Sequence, residues 1–323
     1  MLLAGDLGGT KTLLGLFDED SARPRPADVR GFTTLKADCL GSLVRAFLET
    51  SPLGLVDVRA ACVGVAGPVV AGRAELTNVP WSVSETELAE SIGGAPARLV
   101  NDLVALGHGV GVLGDDEVRV LQGGQPDSEG NGVLLAPGTG LGQALLVRRD
   151  GRFEPLPSEG GHTDFAARTE REIEFVRELI ARFGRADVER VCSGPGLANL
   201  ASFTHAGACS LLPPDSDEAD VPAHVSAMAL AGRCQACREA LDMFVSALGA
   251  VAGNLALHGL ATGGVFVGGG IPPRILPALE AGGFTAAFVN KPPMTALLER
   301  MRVTVILNPE AGLLGAAVCA GRL

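Results

Sequence analysis

The chain has 323 residues, of which 47% are hydrophobic and 20% charged, and its formal net charge is -11. This composition suits a packed protein with room for two domains and excludes disorder or a coiled coil. The acidic balance, with no Lys/Arg-rich run, argues against a nucleic-acid or anionic-lipid partner, so a phosphate-bearing ligand has to be held locally by main-chain N–H groups and a metal ion.

Leu2-Leu3-Ala4, the turn Gly8-Gly9-Thr10 and the apolar run from Thr12 to Phe17 predict strand, tight turn, strand. Asp18 to Asp28 predicts a loop, and Cys39 to Leu48 has helical apolar spacing. Ala60 to Val65 predicts a buried strand, Thr86 to Ile92 a helix, and Ala97 to Val100 a strand running directly into Asn101-Asp102. The alternation indicates an α/β sheet. From Gly132 the layout repeats: Val133-Leu134-Leu135-Ala136 enters Pro137-Gly138-Thr139-Gly140-Leu141-Gly142, and Ala144 to Val147 leaves it. Two such units suggest duplicated lobes facing one another across a cleft.

A helical stretch from Arg168 to Phe183 follows, then Ser193-Gly194-Pro195-Gly196 and an irregular Pro/Asp-rich segment over 211–222. One helix is predicted over 228–258. A third strand and turn, Val265-Phe266-Val267-Gly268-Gly269-Gly270, comes next, and the tail predicts a strand over 303–307 and a helix with close-packing Gly312 and Gly315. The N-terminus lacks a basic signal-peptide region, and no run of about 18 apolar residues occurs, so a cytoplasmic protein without a membrane partner is expected.

Seven cysteines, an odd and scattered set, fit reduced thiols better than a disulfide framework. Cys234-Gln235-Ala236-Cys237 alone has metal-like spacing. It falls within the predicted helix with no second pair placed to complete four ligands, so packing is the expected role and no structural zinc is expected.

Glycines in Asp6-Leu7-Gly8-Gly9-Thr10-Lys11 would let backbone amides approach phosphate oxygens, although a plain hairpin turn reads the same way. It is not a Walker A loop, because Thr10 stands where glycine must precede the lysine. With Gly138-Thr139-Gly140 the chain holds two such turns, able to clamp one nucleotide. Only the first carries an acid, Asp6, suited to hold Mg²⁺ directly or through water. Gly268-Gly269-Gly270 offers main chain for an adenine, or ordinary close packing. Asn101-Asp102 reads either as a helix cap or as a carboxylate able to take a proton from a hydroxyl. Glu159, His162 and Glu189 add hydrogen-bonding groups of the kind that sugar hydroxyls need.

Six ordered segments together resemble the bacterial glucokinase family end to end: Gly5-Asp6-Leu7-Gly8-Gly9-Thr10, Asn101-Asp102, Gly138-Thr139-Gly140-Leu141-Gly142, Ser158-Glu159-Gly160-Gly161-His162, Glu189-Arg190-Val191-Cys192-Ser193-Gly194 and Gly268-Gly269-Gly270-Ile271. The resemblance implies a two-lobed actin-like, ribonuclease-H-like ATPase fold, with duplicated mixed β-sheet domains and a cleft between them. The small lobe would be 1–112 plus 303–323, and the large lobe 113–302. It implies Asp102 as general base, and Asn78, Asn101, Glu159, His162 and Glu189 as sugar ligands. The segments at Asp6, Gly8, Gly9, Thr10 and Lys11, at Gly138, Thr139 and Gly140, and at Gly268, Gly269 and Gly270 would bind ATP and Mg²⁺. A homodimer is the family's default.

The chain departs from the glucokinase pattern at Lys11-Thr12, which is closer to the broader repressor/open-reading-frame/kinase group. Lys11 is open between a phosphate contact and a solvated turn residue. That group's CxCGxxGC zinc cluster is absent here. The implied activity is transfer of the γ-phosphoryl group of ATP to the 6-hydroxyl of glucose, with lobe closure excluding water. Another hexose, another phosphoryl donor, or a catalytically silent sugar sensor remain alternatives.

Overall fold

The computed structural model describes every residue except 20–21, 55, 77–78 and 206–216, and omits the side chain of residue 218. Asn78, expected in the sugar pocket, lies outside the described residues, as does most of the Pro/Asp-rich segment.

In chain order the first strands are β1 (Leu2–Leu7), β2 (Lys11–Phe17), β3 (Pro26–Thr33), β4 (Ala60–Val65), β5 (Arg73–Glu75), β6 (Ser82–Ser84) and β7 (Ala97–Asn101). Those after them are β8 (Val118–Gln122), β9 (Gly132–Pro137), β10 (Leu141–Arg149), β11 (Arg152–Ser158), β12 (Gly264–Val267) and β13 (Val303–Ile306). The helices begin with α1 (Leu40–Glu49), α2 (Glu85–Ser91), α3 (Asp102–Gly109), α4 (Glu170–Phe183), α5 (Gly194–His205) and α6 (Val221–Leu230). They continue with α7 (Gln235–Gly259), α8 (Leu276–Glu280), α9 (Gly283–Val289), α10 (Thr295–Leu298) and α11 (Ala311–Ala320).

Two compact units result. The first is Met1–Gly114, Arg152–Pro157 and Asn308–Leu323; the second is Asp115–Gly151 and Ser158–Leu307. Both sheets are built from the same plan. In the first, β3-β2-β1-β4-β7 lie in that order, β1 antiparallel to β2 and parallel to β4, which is parallel to β7. In the second, β10 is antiparallel to β9, which is parallel to β12, and β12 is parallel to β13. The central strands β1, β4 and β9 are buried on both faces, which is why their sequences are apolar runs without alternation.

Two expected boundaries are corrected. Val303–Ile306 pairs with β12 and β8 in the second sheet, so after Arg152–Pro157 the first unit takes up the chain again at Asn308 and not at residue 303. The single helix expected over 228–258 is two, α6 and α7. Gly232 takes a left-handed φ of 65°, which ends α6, and Cys234 starts α7 as its N-cap.

In the first unit α11 packs on α3, β1 and β4. Its Gly315 lies against the backbone of α3, where an added Cβ would overlap the Ala105 carbonyl oxygen and crowd Gly109 N at 2.9 Å. Gly315→Val is therefore expected to cost at least about 2 kcal/mol, as overpacking against backbone that cannot give way. A denaturant midpoint equal to wild type would reject that packing. In the second unit α7 is the core helix, packed by α5, α6 and α9.

Candidate active site

In the first unit, carboxylates gather where parallel strands end. Asp6 is the fifth residue of β1 and lies in register with Gly64 of β4, which in turn lies in register with Val100 of β7. β7 ends at Asn101, and Asp102 opens α3. Gly64 therefore stands between β1, which carries Asp6, and β7, which leads into Asp102. A Cβ there would come within 2.9 Å of Ala105 Cβ and 3.7 Å of Asp102 Cα, so glycine makes the room that α3 occupies. The carboxyl ends of parallel strands are where α/β sheets bind ligands.

Burial, and secondly the negative charge of Asp102, push the Asp6 carboxyl up to about 6. Asp102 Oδ1 accepts the Leu103 N–H at 2.9 Å. Asn101 caps α3 by accepting the same N–H at 2.9 Å, and its Nδ2 donates to the Gly67 carbonyl at 3.2 Å. Cap and candidate base thus share the Leu103 N–H, and Asn101 keeps one amide hydrogen beyond its bond to Gly67.

The turn after β1 is braced from beneath. Gly8 N donates to Lys11 O at 3.1 Å, Thr34 Oγ1 to Gly8 O at 2.8 Å, and Thr34 N to Thr10 O at 3.0 Å. The buried Thr12 and Thr34 hydroxyls are themselves 2.8 Å apart. Sequence reasoning missed Thr12 and Thr34, because a threonine in a strand reads as β propensity and its partner arrives from a distant segment. Thr10 and Lys11, whose carbonyls take part in this brace, are otherwise exposed.

The second unit carries the other expected groups. Gly138 N donates to Gly140 O at 2.8 Å, closing the second turn, and Gly194 N at the start of α5 donates to Gly138 O at 2.8 Å. Ala136 of β9 occupies the place that Asp6 has in β1, so the duplicated turn has no acid. Glu189 reaches this turn: its Oε2 accepts the Leu141 N–H at 2.8 Å, and a Cβ on Gly140 would stand 2.6 Å from that oxygen. Its other oxygen lies 4.0 Å from His162 Nδ1, and its main-chain N–H donates to Gly161 O at 2.8 Å. His162 N in turn donates to Glu159 O at 3.0 Å. Glu159, His162 and Glu189, spread over 30 positions of sequence, thus form one cluster, with Glu159 and His162 exposed. An acceptor, a second acceptor and a ring that does either suit a polyol.

The turn after β12 joins this unit at Pro137. Gly268 N donates to Leu135 O at 2.8 Å and Ile271 N to Pro137 O at 3.3 Å. Gly269 has φ of 85°, and an added Cβ would overlap the Pro137 carbonyl oxygen; Gly270 faces open space. Gly269→Ala is expected to distort both glycine turns and to cost about 2 kcal/mol or more in stability. A denaturant midpoint equal to wild type would reject this.

A family model described as Glucokinase matches residues 3–323. A glucokinase of Nostoc punctiforme is 36% identical, the match covering 100% of this chain and 99% of that protein. The crystal structure of a glucokinase from an Antarctic psychrotroph matches with a TM-score of 0.88 at 31% identity, over 100% of this chain and 99% of that one. A ROK family glucokinase from Streptomyces griseus, in complex with glucose and AMPPNP, matches with a TM-score of 0.66 at 20% identity, over 100% of this chain and 99% of that one. The expected fold class, duplicated α/β domains of the actin-like ATPase type, is that of these neighbours.

Proposed function

Because the chain belongs to the glucokinase family, we propose that it transfers the γ-phosphoryl group of ATP to the 6-hydroxyl of D-glucose, releasing glucose 6-phosphate and ADP. The observation that carries the chemistry is the pair of carboxylates on either side of Gly64, Asp6 on β1 and Asp102 at the start of α3 directly after β7. Glucose and AMPPNP in the Streptomyces griseus kinase support the choice of substrates.

In this reading Asp102 takes the proton of the 6-hydroxyl as O6 bonds to the γ-phosphorus, and the bond from that phosphorus to the β,γ-bridging oxygen breaks to release ADP. Asp102 sits in the first turn of α3, directly after the strand that ends at Asn101. Asn101, with its remaining amide hydrogen, Asn78, Glu159, His162 and Glu189 hold the sugar hydroxyls. Backbone N–H groups in the turns at Gly8, Gly9, Thr10 and Lys11 and at Gly138, Thr139 and Gly140 bind the phosphates, and Gly268, Gly269 and Gly270 the adenosine.

The donor set fits a hard cation, since a desolvated carboxylate beside a second one is relieved by positive charge. Asp6 would hold Mg²⁺, directly or through water. When bound, Mg²⁺ would neutralise charge on the phosphates. The protein would act in the cytoplasm as a homodimer, the symmetric assembly commonest among soluble enzymes.

A coupled assay of ADP release over a panel of hexoses tests the proposal. Glucose-dependent turnover with glucose 6-phosphate as product is expected. Turnover on another hexose alone would change the substrate, and glucose binding without turnover on any sugar would overturn the kinase reading.

A further inference from the structure

Away from these groups, the end of α5 meets the start of α7. His205, the last residue of α5, places Nε2 3.2 Å from Cys234 Sγ and 3.7 Å from Cys237 Sγ. The three potential ligand atoms all lie within 4.8 Å of one another. Around tetrahedral zinc, with its usual bond lengths, an imidazole nitrogen and a thiolate sulfur are ~3.6 Å apart, so the two observed separations bracket the edge of such a tetrahedron.

The ring is also oriented for a metal. His205 Nδ1 lies 2.7 Å from the Ala201 carbonyl oxygen, which only accepts, so the hydrogen sits on Nδ1 and the Nε2 lone pair points to the sulfurs. Thr204 Oγ1 donates to Ala236 O at 2.9 Å and fastens the two helix ends beside the cluster. Cys234 is the N-cap of α7, and its Sγ accepts the Cys237 N–H at 3.4 Å.

From this geometry we propose that His205, Cys234 and Cys237 bind a zinc ion that clips α5 to α7, with the fourth coordination position taken by water or a further donor. Two sulfurs and an imidazole select zinc over Mg²⁺, so the site does not compete with phosphates for their cation. The clip joins residues 29 positions apart in sequence. It departs from the packing role expected of the Cys234–Cys237 pair and does not depend on the kinase reading.

The full-length protein, reduced and loaded with Zn²⁺, is dialysed against metal-free buffer and its metal measured by mass spectrometry. Co²⁺ loading is followed by the thiolate-to-cobalt charge-transfer absorption. Expected results are about one zinc per chain, a charge-transfer band, and zinc affinity reduced about tenfold or more in both Cys234→Ser and His205→Asn. Zn²⁺ should raise Tm in the wild type and not in Cys234→Ser, whose serine keeps the cap of α7 and the fold. Loss of the metal on dialysis with no charge-transfer band would overturn the site, as would wild-type affinity in either variant.

Discussion

Asp102→Asn is expected to lower kcat by about a thousandfold or more while glucose still binds with a Kd within severalfold of wild type. A positioned general base supplies roughly two to four orders of magnitude, and the amide cannot take the proton of the 6-hydroxyl. The asparagine oxygen can still accept the Leu103 N–H that Asp102 Oδ1 accepts at 2.9 Å, and Asn101 goes on capping the helix, so the fold should survive the change. Turnover by the coupled assay and glucose binding by calorimetry separate the two quantities. A kcat within tenfold of wild type would remove Asp102 from the base role. The same variant should lower the Asp6 pKa, because the charge that opposes its ionisation is gone.

Asp6→Asn is expected to make the ligand-free protein more stable and the enzyme nearly inactive. The Asp6 carboxyl rises from 3.8 to about 6, first through burial and then through Asp102. An acid whose pKa is higher folded than unfolded binds more protons in the native state between those two values. Stability is therefore greatest below about 4, falls as pH climbs towards 6, and stays reduced above it. The cost at neutral pH is on the order of 3 kcal/mol, taking 1.36 kcal/mol per unit. Asparagine removes the charge, so the protein should melt about 5 °C higher at pH 7.5, with the advantage fading near pH 4. Turnover should fall by about a hundredfold or more with the loss of the cation's carboxylate. Equal melting of the two proteins across pH 4–7.5 would refute the buried charge, and full turnover would refute the metal role. In the wild type, Mg²⁺ with ATP should restore part of the missing stability by pairing the charge.

Much of the fold was legible because its signals are local. An apolar run, a glycine turn and a second run announce β1–β2 and again β9–β10, whatever packs around them. The break at Gly232 escaped the same reading, since the apolar residues on its two sides continue a helical pattern and only the backbone conformation interrupts it. β13 was placed in the wrong unit because a short apolar strand carries no mark of which sheet it joins. Among site residues, the glycine turns and Asn101-Asp102 are recognisable in the chain itself. The support that Thr34 gives Gly8, and that Glu189 gives Leu141, is not.

By itself, then, the sequence determined the α/β class, the duplicated turns, the acidic residues beside one of them and the resemblance to a kinase family, because each is written in neighbouring residues or in their order. Tertiary structure alone decided that Asp6 feels Asp102, that Glu189 both holds a turn and approaches His162, and that His205 joins Cys234 and Cys237. The physical reason is common to all three. Coulombic coupling, hydrogen bonding and metal geometry depend on distances of a few ångströms, and residues far apart in the chain acquire such distances only when strands pair and helices pack.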